Sequence, residues 1–280
     1  MTVKISADST CDLPQALIRQ YDIGIVPLYI VNEAGAFRDG VEITPQDIFE
    51  TAGRTGALPS TSAVPAADYY AYWSQWLKTC DALVHVSLSS ELSCSWHNAC
   101  LAAKELGNVW VVDSRSLCAG SGLLAVEGAE LAEAGVEPAA IAQQLQQRTE
   151  KLDVSFVLDT LSYLRKGGRC SALTALGANL LSIKPSIEVH DGVMDVGKKF
   201  RGKIDRIYIQ YACERLEGRD DIDLRRIFIA DSGISDEMRA ELEQAVLACQ
   251  PFEQVYHNVA GCTISTHCGP NCMGLMFLRK

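Results

Sequence analysis

No stretch of this sequence approaches the roughly 20 uninterrupted apolar residues that a membrane-spanning helix needs. A basic excess is also missing: 25 Lys and Arg stand against 35 Asp and Glu, a formal net charge of −10. That balance speaks against a general nucleic-acid binder, which neutralises phosphates with a basic surface, and against docking on anionic lipid. The first residues, Met1-Thr2-Val3-Lys4-Ile5, lack the basic-then-apolar pattern of a secretory signal. A cytoplasmic protein without stable membrane insertion is the expectation.

Signatures of enzymatic chemistry are missing too. A P-loop, G-x-x-x-x-G-K-[ST], is absent, and no G-x-G-x-x-G follows a strand-like segment, so neither a nucleotide nor a dinucleotide site has support. No serine sits on a G-x-S-x-G elbow, and Gly120-Ser121-Gly122 does not fit it. His85 lies within an apolar strand-like run and reads as a core histidine. The 11 cysteines are odd in number in a chain with no export signal, which points to free thiols. Cys262, Cys268 and Cys272 lie close together, but no CxxC pair recurs, and no metal is expected. No catalytic residue and no cofactor follow from these absences.

What is present is an alternation of strand-like and helix-like segments, the pattern of an α/β protein. Strands are expected at Val3–Ala7, Ile23–Val31, Ala82–Ser87, Val109–Val112 and Val154–Leu158. Asp12 and Gln15 have the spacing of a capping box, and Thr44-Pro45 opens a helix with a cap and a first-turn proline. Helices are expected at Ala67–Thr79, from about Ser93, up to Gly135, from Glu137 to about Leu152, and at Leu161–Lys166. In the second half Leu173–Ile183 reads as an apolar helix. Asp191-Gly192 reads as the two-residue turn of a hairpin between Ser186–His190 and Val193–Val196. Helices at Ile204–Leu216 and Asp236–Leu247 and strands at Ile227–Ala230, Glu253–Val259 and Gly274–Leu278 complete it. The 280 residues suit two α/β domains, 1–153 and 154–280.

Open α/β sheets bind ligands beyond the carboxyl ends of their strands. Short hydroxyl and acidic residues gather there: Asp8-Ser9-Thr10, Ser87 to Ser93, Asp113-Ser114, and Ser60-Thr61-Ser62 before an aromatic helix. Singly, each is most simply a helix cap. Together with helix N-terminal N–H groups they make a neutral cradle for a carboxylate or a phosphate. Cations come from the second half. In Arg165-Lys166-Gly167-Gly168-Arg169, paired glycines let backbone approach a ligand closely. Lys198, Lys199, Arg201 and Lys203 suit a solvated face, and His267 stands in Thr266-His267-Cys268-Gly269-Pro270, read as a turn before the last strand.

These segments, in this order, resemble the DegV family of fatty-acid-binding proteins, nearly end to end. The matching pieces are Ser6-Ala7-Asp8-Ser9-Thr10-Cys11-Asp12-Leu13, Thr61-Ser62, Ser89-Ser90-Glu91-Leu92-Ser93, Val112-Asp113-Ser114, Leu164 to Arg169, Lys184-Pro185, Arg201-Gly202 and His267-Cys268-Gly269-Pro270. The resemblance implies two α/β domains, the first with a mainly parallel sheet and the second with a mixed one, and a lipid between or inside them. It implies that hydroxyls matching Thr61 and Ser93 hold the carboxylate, with Ser62 and Cys94 beside them. Gly168, Arg169, Arg201 and His267 would face the head group or a docking partner. The implied role is a non-catalytic one: the chain would present a long-chain fatty acid to a separate fatty acid kinase, which makes acyl phosphate for phospholipid synthesis. The alternative is a stand-alone phosphoryl- or acyl-transfer enzyme using the same hydroxyl-lined site. Two departures fall at the head-group end. Cys94-Ser95 replaces the family's usual glycine-threonine, so a side chain takes room that glycine leaves free, and Asn271-Cys272 stands where a glycine-rich turn is usual.

Overall fold

The computed structural model describes residues 1–176 and 183–280. The first half runs β1 (Val3–Asp8), α1 (Gln15–Gln20), β2 (Gly24–Val26), β3 (Tyr29–Asn32), β4 (Gly35–Arg38), α2 (Pro45–Thr55), β5 (Ser60–Ser62), α3 (Ala66–Trp76), β6 (Ala82–Ser87), α4 (Ser95–Leu106), β7 (Val109–Asp113), α5 (Ala119–Glu133) and α6 (Pro138–Arg148). The second runs β8 (Leu152–Val157), α7 (Ser162–Gly167), β9 (Lys184–His190), β10 (Val193–Phe200), α8 (Ile204–Leu216), β11 (Ile222–Asp231), α9 (Asp236–Cys249), β12 (Gln254–Val259), α10 (Cys262–Cys268) and β13 (Met273–Arg279).

Four strands of the first half form an all-parallel sheet in the order β2-β1-β6-β7. Parallel strands are covered on both faces, so they read as continuous apolar runs. All six residues of β6 are buried. His85 is a core histidine: Nδ1 lies 2.9 Å from Ser6 Oγ and Nε2 lies 3.2 Å from Asp8 Oδ1.

The second half builds a mixed sheet, β10-β9-β8-β13-β11-β12. Its strands alternate between two cores, as the two-residue period of a strand requires. Ile227, Ile229, Leu275 and Phe277 pack beneath α8 and α9. Phe228, Ala230 and Met276 turn the other way, into the core shared with the parallel sheet and α5. The expected division after residue 153 falls within β8, the first strand of this sheet.

Several expectations change in the structure. Ile23–Val31 is two strands, not one, because Pro27 has no N–H to give a ladder. β2 stays in the parallel sheet, while β3 pairs with β4 and β5 in a small antiparallel sheet. The helix from Glu137 stops at Arg148, and Leu152 already belongs to β8. The helix expected from about Ser93 begins at Ser95. Asp12 and Gln15 form no capping box: Asp12 sits in the left-handed region at φ 48, and the helix starts after Pro14. The segment around His267 is a helix, α10, rather than a turn. Of the expected helix Leu173–Ile183, residues 171–176 form a 3-10 turn, and 177–182 lie outside the described residues. The capping box of α2 (Thr44 with Asp47, Pro45 at the first position) and the Asp191-Gly192 turn, with φ of 49 and 85, agree with the sequence reading.

Asp12 and Asp39 instead hold the start of α10. The Gly261 N–H donates to Asp12 Oδ1 at 2.9 Å. The Cys262 and Thr263 N–H groups donate to Asp39 Oδ1 and Oδ2 at 2.8 and 3.2 Å. Ser9 Oγ adds a third donor to Asp39 at 3.0 Å. Asp39→Ala therefore leaves several buried donors unpaired. The expected loss is about 2–4 kcal/mol of unfolding free energy, measured by equilibrium urea denaturation. Asp22→Asn, which tolerates the left-handed φ of 47 there and loses only the exposed end of an ion pair with Lys4, should cost under about 1 kcal/mol. Equal costs at the two sites would refute this role for Asp39.

Candidate functional site

β5 carries Thr61 toward α10. Its register pairs Thr61 with Ile30 of β3, and Ile30 packs with Ile48 and Cys262. Across this contact Thr61 Oγ1 lies 2.8 Å from His267 Nε2. The loop before α4 brings up Ser93, and the turn after α7 brings up Arg169. Around them is a cleft of about 270 Å³. Thr61, Ser62, Ser93, Cys94, Arg169 and His267 line its polar side; Leu28, Leu88, Leu92, Leu117, Met194 and Ile264 line its apolar side.

The hydrogen bonds leave protons pointing at a ligand. The Ser95 N–H donates to Ser93 Oγ at 3.1 Å, and the Ser95 hydroxyl lies 3.0 Å from it. With Ser95 as donor, Ser93 accepts twice and its own proton is free. At His267, Nδ1 is buried without a partner. Placing the ring proton on Nε2 makes His267 the donor to Thr61, which frees the Thr61 proton as well. A carboxylate is an acceptor only, so two free O–H donors suit it.

The charge at the site comes from Arg169 rather than from His267. Burial, aided by the nearby Arg169 guanidinium, brings the His267 pKa down from 6.5 to about 4. At neutral pH the imidazole is uncharged. Arg169 is exposed, and its Nη1 donates to the Gly167 carbonyl at 2.8 Å.

The paired glycines serve the protein's own packing. A Cβ on Gly167 would stand 2.1 Å from His267 Nδ1. Gly168 caps α7 at φ 68 and does not line the cleft. Arg201 is exposed after β10 and lies outside the lining as well. Most of the hydroxyl cluster at the parallel strands' carboxyl ends satisfies itself. Ser87 Oγ and the Leu88 N–H donate to Asp8 Oδ2 at 2.9 and 2.8 Å, and Ser90 Oγ donates to Asp113 Oδ2 at 2.6 Å. Thr263 and Ile264 were not singled out from the sequence. Their spacing to His267, four and three residues, puts them on one face of a helix, but the segment was read as a turn.

Two larger concavities, about 430 and 490 Å³, lie elsewhere. One sits at the amino ends of the parallel strands, around Thr2 and Lys4, and the other lies between Arg115 and Arg279. Neither includes the hydroxyl and imidazole groups described above.

A family model described as "Uncharacterised protein, DegV family" matches residues 2–280. A DegV domain-containing protein from Deinococcus radiodurans is 32% identical over 276 residues, 98% of each chain. Among solved structures, one describing fatty acid binding by a DegV family protein from Thermus thermophilus matches with a TM-score of 0.89 at 31% identity, over 100% of both chains. That of DegV, a fatty acid binding protein from Bacillus subtilis, matches with a TM-score of 0.84 at 27% identity, again over 100% of both.

The unusual histidine gives a pH signature. Unfolded, it protonates near 6.5; folded, near 4. Between those values the unfolded chain binds more protons. The stability associated with neutral His267 is therefore complete above pH 6.5 and is lost as pH falls toward 4, by up to about 3 kcal/mol. His267→Gln, which keeps an N–H for Thr61, should flatten that part of the stability profile in urea titrations run at successive pH values. An unchanged profile would contradict the assignment. Gly167→Ala should push the imidazole off Thr61.

Proposed function

The chain belongs to the DegV family, and we propose that it binds one long-chain fatty acid in this cleft and presents the carboxylate to a partner kinase for phosphorylation to acyl phosphate. The observation that carries the reading is the join between two spaces. The hydroxyl-lined cleft shares Leu117 and Ile264 with a small apolar cavity of about 30 Å³. One end offers hydrogen-bond donors and the other offers apolar walls, as an amphiphile with a single polar end requires.

The carboxylate would accept from Thr61 and Ser93, with Ser62 and Cys94 at the mouth and Arg169 as the nearby cation. Each hydroxyl bond adds about 0.5–1.5 kcal/mol net, whereas burial of the tail adds about 0.8 kcal/mol per CH₂. Affinity therefore rests on the tail, and the head group fixes orientation. When phosphate is added, charge grows at the mouth, where a guanidinium pairs well with phosphate oxygens. Arg201, exposed and outside the cleft lining, would in this reading meet a docking partner rather than the lipid. The kinase is a separate protein in this reading, since the sequence carries no phosphate-binding loop.

Purified protein should carry fatty acid, seen as a mass increment in native mass spectrometry and recovered by organic extraction. Protein that is free of lipid and takes up none when it is added would refute the reading. Ser93→Ala should weaken retention by about tenfold at most yet lower kinase-coupled turnover about 100-fold by misplacing the attacking oxygen. Arg169→Ala should keep the lipid and lose turnover. Lipid loss with unchanged turnover per bound lipid would reverse these roles. Acyl phosphate made from ATP and fatty acid by this chain alone would show it to be the enzyme.

A further inference from the structure

Beyond Leu117 and Ile264, the walls of the small cavity are rich in sulfur. Cys118 stands at the start of α5, Cys268 at the end of α10, and Cys272 just before β13. All three are free thiols, exposed by only 2%, 4% and 7%. Phe156, Gly274 and Met276 supply hydrocarbon around them. Among the described residues no group of His, Cys, Asp and Glu is arranged to hold a metal ion, so metal ligation does not account for the gathering.

Two of the three thiols, Cys118 and Cys272, are held in their neutral form. Burial pushes Cys118 well up, with Asp12 adding to it. A side-chain hydrogen bond to Cys268, and then burial, raise Cys272. A neutral thiol behaves as a small apolar group, so this lining accepts a hydrocarbon tail. It is also slow toward water-soluble electrophiles, because the thiolate is the nucleophile and all three sulfur-bearing residues are buried. Cys94, exposed at the mouth of the cleft, is the contrasting case. An electrophile carried on a bound acyl chain is different, since it is held against the sulfurs. Such positioning raises effective concentration by orders of magnitude and offsets the low thiolate fraction.

We propose that the cavity formed by Cys118, Cys268 and Cys272 is a covalent capture site for fatty acids whose chain carries an α,β-unsaturated carbonyl. The inference rests on the fatty-acid reading of the cleft. In the reaction a cysteine sulfur bonds to the β-carbon while the C=C π bond breaks, and the thiol proton ends on the α-carbon. Nothing leaves, no oxidant or reductant enters, and the adduct keeps the whole mass of the lipid as a thioether.

The test uses the purified full chain and an oxo-octadecadienoic acid with its enone in mid-chain. Intact-mass analysis and peptide mapping follow the adduct, and palmitate binding is measured in parallel. One adduct is expected, on Cys118, Cys268 or Cys272, blocked by excess palmitate. It should form at least about tenfold faster at those thiols than the adduct of a short water-soluble enone, which should favour Cys94. A triple Cys118→Ala, Cys268→Ala, Cys272→Ala variant should lose the enone adduct, whatever its affinity for palmitate. Mapping on the unsubstituted chain decides the matter even if that variant fails to fold. Normal palmitate binding with no adduct, or with the adduct on Cys94, overturns the capture site alone. If neither palmitate nor the oxo acid binds, the fatty-acid reading falls with it.

Discussion

α10 is seven residues long, too short to hold itself together in water, and yet it carries His267 to Thr61 and Ile264 to the join between the two spaces. What holds it is a pair of buried carboxylates from the opposite half of the chain. Asp12 and Asp39 accept the N–H groups of Gly261, Cys262 and Thr263. Helix N-termini attract negative charge, but here the charge has been taken out of water. Burial drives the Asp12 carboxyl well above the usual range, with Cys118 among its hydrogen-bond partners. The same residues that look like caps for β1 and its loop thus fix the two halves to each other. The joint anchors the start of the helix that carries His267 to Thr61 of β5.

That arrangement explains why the site is built from hydroxyls. Burial, and then the Arg169 cation beside it, raise the cost of charging His267, and the neutral imidazole is the result. A neutral ring can donate one proton to Thr61 and do no more. Ser93 and Thr61 then each keep a proton for the cleft, while Arg169 stays exposed at the rim. A buried ion pair would have bound a carboxylate more rigidly, but desolvating both partners would have cancelled most of the gain.

The α/β architecture was legible because strand runs such as Ala82–Ser87 and the Asp191-Gly192 turn carry their signals locally. So was the clustering of Thr61, Ser93, Arg169 and His267, through the family motifs. What escaped the sequence reading depends on distant partners. Asp12 has the spacing of a local cap, but its acceptor is used by Gly261, 249 residues away. α10 was read as a turn because a seven-residue helix has too few turns to show a period. Gly167 suggested room for a ligand, and the neighbour that needs the room is His267. Ser87 and Ser90 have the right chemistry for a cradle, but Asp8 and Asp113 already occupy them. In each case the residue type was informative and the identity of its partner was not.

The small apolar cavity sets a physical condition on the proposed binding. About 30 Å³ has room for about two waters, far short of an acyl chain. A tail can enter only by parting the core that the two sheets share, where Phe156, Phe228 and Met276 meet α5. Opening a packed core forfeits contacts, and each buried methylene returns about 0.8 kcal/mol, so entry becomes favourable only once several methylenes are inside. If a fatty acid binds as proposed, short acids would gain too little to part the core. The walls best able to yield are Met276, whose unbranched chain repacks readily, and Ile264, at the join. The α10 start, pinned by Asp12 and Asp39, is the part least free to move. In the proposed complex the hydroxyl frame would stay in register while the core behind it opens, and the carboxylate would keep one position.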